Sequence, residues 1–104
     1  DHGGLMAAKK RTYASDPLGP AIEKLMAETG VTYRALAEKS GLSAGYLNHI
    51  VHGNRRVPST QVITRIGKAL GVKPDYFREV RVRIIIGKLE ETPALVDRLY
   101  KRLS

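Results

Sequence analysis

The sequence has no cysteine and no tryptophan among its 104 residues, and only one phenylalanine and five tyrosines. Without cysteine there is no disulfide framework, no thiolate metal site and no thiol nucleophile, and nothing points to an oxidising compartment. So few aromatic rings disfavour a single-strand nucleic-acid binder built on rows of stacking platforms. Long apolar runs are lacking too: Ile84-Ile85-Ile86 falls far short of the roughly 20 residues that span a bilayer. No signal-peptide core is visible, so a soluble, cytoplasmic protein with no membrane partner is expected. Acidic residues are outnumbered, with 10 Asp and Glu against 18 Lys and Arg and a net charge of +8. Such a chain attracts polyanions, and with few rings to stack on single strands, duplex DNA is the better match.

Catalytic parts are missing as well. There is no paired nucleophile and base, no carboxylate pair and no phosphate-cradling glycine loop, and Asp16, Asp75 and Asp97 have no evident chemical partner. His49 and His52 stand three apart, but no suitably placed third ligand accompanies them, so neither a metal nor another cofactor is expected. An enzyme is therefore not expected.

What is present is helical punctuation. Hydrophobic residues make up 42% and charged residues 27% of the chain, ordinary for one globular domain with one core. Asp1–Leu5 read as a tag remnant ahead of a native start at Met6, and residues 1–16, with Lys9, Lys10 and Arg11, read as a disordered basic arm. Leu18, Ile22, Leu25 and Met26 repeat at helical spacing up to Gly30. Thr32 can cap a short second helix over 33–40 with Leu36 and Ala37 inward, and Ser43 a third carrying Tyr46, Leu47, Ile50 and Val51 as far as Gly53. Ser59 can cap a fourth with Val62, Ile63, Ile66 and Leu70, inside which Gly67 requires close packing against a neighbouring helix. The segment Val80–Ile86 alternates at first like a strand, yet a lone strand has no partner, so a helix over roughly 75–88 is expected, with a strand shared across a dimer as the alternative. At the end, Thr92 is a capping residue and Pro93 takes the first helical position, ahead of a stripe of Leu95, Val96, Leu99, Tyr100 and Leu103.

Two short helices meeting through a glycine-containing turn make a helix-turn-helix, whose second helix enters the major groove. Ala37, Gly41, Leu47 and Ile50 supply the small residue, the turn and the core contacts in order. The stretch TYRALAEKSGLSAGYLNHIVHGNRRVP followed by ITRIGKALGV resembles the Cro and phage-repressor helix-turn-helix family. The resemblance covers about residues 18–78 and implies an all-α, compact five-helix fold, usually dimeric and bound to operator DNA. It implies that Ser43, Ala44, Gly45, Tyr46 and His49 face bases or the adjacent backbone, with Asn48 on or near that face. Where well-known phage repressors often carry Gln at the start of both helices, this chain has Tyr33, Ala44 and Gly45. Direct readout then rests on Tyr46, Asn48 and His49 or on DNA shape.

Phosphates are expected near Tyr33 and Arg34 at the start of the second helix and near Arg55 and Arg56 after the third, with Asn54 either a contact or a helix-end cap. Lys9, Lys10 and Arg11 are candidate arm contacts. The chain thus divides into an arm (1–16), a helix-turn-helix domain (17–78) and a helical C-terminal extension (79–104). Leu95, Leu99, Tyr100 and Leu103 are candidate dimerisation residues, since operator binding favours two-fold pairs. The expected function is sequence-specific duplex binding by a transcriptional repressor that is a homodimer. The alternative is a protein-interaction module, an adaptor or antitoxin that grips a protein partner with its C-terminal helices.

Overall fold

A computed structural model describes residues 13–53 and 56–104. Six α-helices follow in order among them: α1 (Leu18–Thr29), α2 (Tyr33–Ser40), α3 (Ala44–Val51), α4 (Thr60–Leu70), α5 (Arg78–Glu91) and α6 (Pro93–Leu103), with a 3-10 turn at Pro74–Tyr76 before α5. The protein is all-helical: a helix-turn-helix domain followed by C-terminal helices.

The expected caps set the starts of three helices. Thr32 Oγ1 accepts from the Ala35 N–H at 3.1 Å, Ser43 Oγ from Tyr46 at 3.0 Å and Ser59 Oγ from Val62 at 3.2 Å. Each cap satisfies one of the amides that the first turn leaves without a partner. Gly41 sits at φ 74° and turns the chain sharply between α2 and α3, a conformation that would cost another residue a steric penalty.

Ile22, Leu36, Leu47, Ile63, Ile66 and Phe77 form the fully buried centre of the core, drawn from α1 to α4 and the residue just before α5. Phe77 is the residue that divides the expected 75–88 helix. Its backbone is extended (φ −89°, ψ 135°), which drives its ring into the core and separates the 3-10 turn from α5. Its neighbour Tyr76 meets it edge-on, with ring centroids 5.3 Å apart. The strand alternative is not realised, since Val80–Ile86 lie within α5. Gly67 is closely packed as expected, but against the Val72 carbonyl and the Phe77 ring rather than another helix.

Three further expectations need correction. Thr92 makes no side-chain cap; its carbonyl instead accepts from the Leu95 and Val96 amides. Tyr13–Asp16, read as part of a mobile arm, are docked: the Ala14 amide donates to the Tyr76 carbonyl at 2.9 Å, and Arg81 donates to the Ala14 carbonyl while its guanidinium stacks on the Tyr13 ring. Lys24 pairs with Asp16 at 2.8 Å, and that hydrogen bond and charge raise the Lys24 pKa above its ordinary value. Third, α5 is not wholly an appendage. Val80 is buried, and Glu79 Oε2 accepts from the Leu18 amide at 2.9 Å, closing the start of α1 that Pro17 leaves uncapped.

Beyond its first turns α5 leaves the core. Val82, Ile84, Ile85 and Ile86 are exposed, as are Val96, Leu99, Tyr100 and Leu103 on α6, and no residue of α6 is buried. The apolar stripe of α6 therefore covers no core of its own chain.

Candidate nucleic-acid interface

The third helix has two sides of different chemistry. Leu47, Ile50 and Val51 are buried, whereas Ala44, Gly45, Asn48, His49 and His52 are exposed. At about 100° per residue these five fall in one outward sector about 140° wide. Tyr46 lies between the two sides, half-buried and packed against the core. Ser43 is exposed but has its hydroxyl committed to the cap. Gly45 leaves open space where a side chain would stand, so the start of α3 presents a low, bare backbone surface.

At the start of α2, Tyr33 is half-buried and Arg34 exposed. Burial first, and the nearby Glu23 carboxylate second, raise the Tyr33 pKa above its ordinary value. Tyr46 and Ile50 of α3 and Arg56, Val57 and Pro58 line a shallow cleft of about 340 Å³. Arg56 is exposed there. Asn54 and Arg55, like Lys9, Lys10 and Arg11, lie outside the described residues.

Three residues that hold this surface in place were not foreseen. Arg65 of α4 donates from Nε to the Ser40 carbonyl at 2.9 Å, putting a cation on the negative end of the α2 dipole next to the Gly41 turn. Arg83 of α5 donates to Thr60 Oγ1 and to the Pro58 carbonyl, both at 2.8 Å, and so fixes the end of the loop that carries Arg56. Gly19 lies under the Val51 carbonyl so closely that a Cβ would collide with it, which lets α1 seat the C-terminal end of α3. Only Gly19 left a sequence signal, a glycine within a helical repeat. The arginine contacts span 23 to 25 residues and have no local signature.

Among the described residues no group of three His, Cys, Asp or Glu side chains could hold a metal ion, and no helix is long and apolar enough to cross a membrane. Residues 22–77 match the sequence profile of the Helix-turn-helix family, more than half of the 104 residues. No curated protein matches the chain.

Proposed function

Because the chain belongs to the Cro- and phage-repressor-type helix-turn-helix family, a family of DNA-binding regulators, we propose that it is a transcriptional repressor that inserts α3 into the major groove of a specific operator. The observation that carries this reading is the outward sector of α3, where Ala44, Gly45, Asn48 and His49 are exposed while the opposite side is locked into the core. Asn48 and His49 offer hydrogen-bonding groups to base edges, and Ala44 offers a methyl to a thymine methyl. Gly45 lets the duplex approach the backbone, and Ser43 and Tyr46 flank the groove. Tyr33 and Arg34 on one side and Arg56 on the other supply phosphate contacts that set register without selecting sequence. Arg55, Asn54 and the arm residues Lys9, Lys10 and Arg11 belong to the same proposed footprint. Two copies, paired through Leu95, Leu99, Tyr100 and Leu103, would present two recognition helices about 34 Å apart, one helical turn of DNA. Repression then follows from occupying the promoter.

The apolar surface of α5 and α6 also favours a second reading, an adaptor or antitoxin-like module whose C-terminal helices grip another protein. Selection of bound duplexes from a random pool at about 0.15 M salt separates the two, because that ionic strength suppresses weak non-specific binding. An enriched motif is the expected result, and a palindrome within it reports the two-fold pair. Retention without enrichment would replace operator recognition with charge-driven binding, and no retention would favour the protein-interaction module.

A further inference from the structure

Arg56, Val57 and Pro58 are held from one side only. Towards α3 they face Tyr46 and Ile50 across the cleft of about 340 Å³, a gap that side-chain packing does not fill. Arg56 and Val57 are exposed. Among the described residues, the one hydrogen bond of this short segment is the one that the Pro58 carbonyl accepts from Arg83, and proline has no N–H of its own to offer. Arg83 grips with both ends of its guanidinium: Nη2 donates to the Pro58 carbonyl and Nη1 to Thr60 Oγ1, each at 2.8 Å. The two acceptors stand on either side of Ser59, whose hydroxyl caps α4. A planar fork with two fixed donors sets an orientation as well as a distance, which a point charge does not. Arg83 is half-buried and pairs with no carboxylate among the described residues, so its charge is directed at a neutral carbonyl and hydroxyl. It also lies beyond residue 77, where the family match ends.

Extending the DNA reading above, on which this rests, we infer that Arg83 is a positioning residue for a phosphate contact: it touches no DNA itself but holds the backbone at Pro58 so that Arg56 meets the duplex beside α3. Both of its terminal nitrogens are engaged with the protein, which leaves Arg56 as the cation that reaches outward. Without the fork the segment is free to move over the open cleft, and Arg56 then has more conformational freedom to lose when it binds. Through this one side chain, α5 takes part in DNA binding from outside the helix-turn-helix.

The test is fluorescence anisotropy of a labelled duplex of mixed sequence, titrated with the full chain at about 0.05 to 0.2 M salt, because phosphate contacts register on any sequence. The parent is compared with Arg56→Ala, Arg83→Met, Arg83→Lys, and each Arg83 variant combined with Arg56→Ala. Arg83→Met keeps the apolar stem without the fork, and Arg83→Lys keeps the charge without the fork. Both are expected to weaken binding about threefold or more and to lower the slope of log affinity against log salt by about 1. Once Arg56 is alanine, the same changes at Arg83 should alter affinity by less than about twofold, because the contact that Arg83 positions is gone. Parent-like affinity and slope in Arg83→Met would overturn the inference. So would full rescue by Arg83→Lys, which would leave charge alone as the cause, and so would losses at Arg56 and Arg83 that multiply, which would put Arg83 on the DNA itself. Should Arg83→Met lose its helical circular dichroism, the milder Arg83→Lys pair decides the matter. A parent chain that binds no duplex removes the DNA reading and this inference together, whereas a binding parent indifferent to Arg83 removes the inference alone.

Discussion

Asn48 and His49 are the exposed side chains of α3 best able to bond a base edge, so replacing either with alanine should change which sequences are preferred, by about 1–3 kcal/mol at the base concerned. Repeating the duplex selection with each variant measures this, and an unchanged motif would remove that residue from the reading set. Arg56→Ala should behave differently, weakening binding to all sequences alike and lowering the slope of log affinity against log salt by about 1. Titrations at several salt concentrations would show it, and an unaltered slope would take Arg56 off the phosphates. Capping residues were readable in the sequence wherever a short side chain preceded a helical repeat, as at Thr32, Ser43 and Ser59. Thr92 had the same appearance and does not cap. With Pro93 following it, its backbone sits at φ −134° and ψ 80°, and its carbonyl serves the first turn in place of its hydroxyl.

The helices themselves were legible from apolar spacing, and so was the face of α3 that turns inward. What joins the helices was not, because the joining groups lie far apart along the chain. Glu79 reaches 61 residues back to the Leu18 amide, and no window of sequence connects the two. Glu79→Gln keeps the shape but removes the negative charge from the start of α1, and should cost about 1 kcal/mol, seen as a melting temperature lower by about 4–8 °C in a domain of this size. A melt identical to the parent would mean that the negative charge contributes nothing to that helix. Gly19→Ala should destabilise by about 1–3 kcal/mol, since a methyl group there forces α1 away from the end of α3. Chemical denaturation would report it, and an unshifted midpoint would show that the two helices separate without cost.

At the scale of the whole molecule, the all-helical class and the recognition motif were both written in the sequence, while the limits of the folded body were not. Hydrophobic patterning stops being informative at Val80, where one helix passes from the core to the surface: Val80 is buried, and Ile84, Ile85 and Ile86 are exposed. Periodicity cannot tell an apolar residue packed in its own core from one left exposed. Residues 22–77 carry the family's pattern, yet physical closure requires more of the chain. The first turn of α5 supplies Glu79 to the start of α1, Arg78 to the Ser15 carbonyl, and Arg81 to the carbonyls of Ala14, Asp75 and Tyr76. A fragment cut to the motif, ending before Arg78, would thus lose the staple joining its first and last segments, and its thermal unfolding is expected to be lower and broader than that of the intact chain. The segment that carries the family likeness is in this chain shorter than the body its hydrogen bonds tie together, and a minimal piece should be trimmed by those bonds rather than by the likeness.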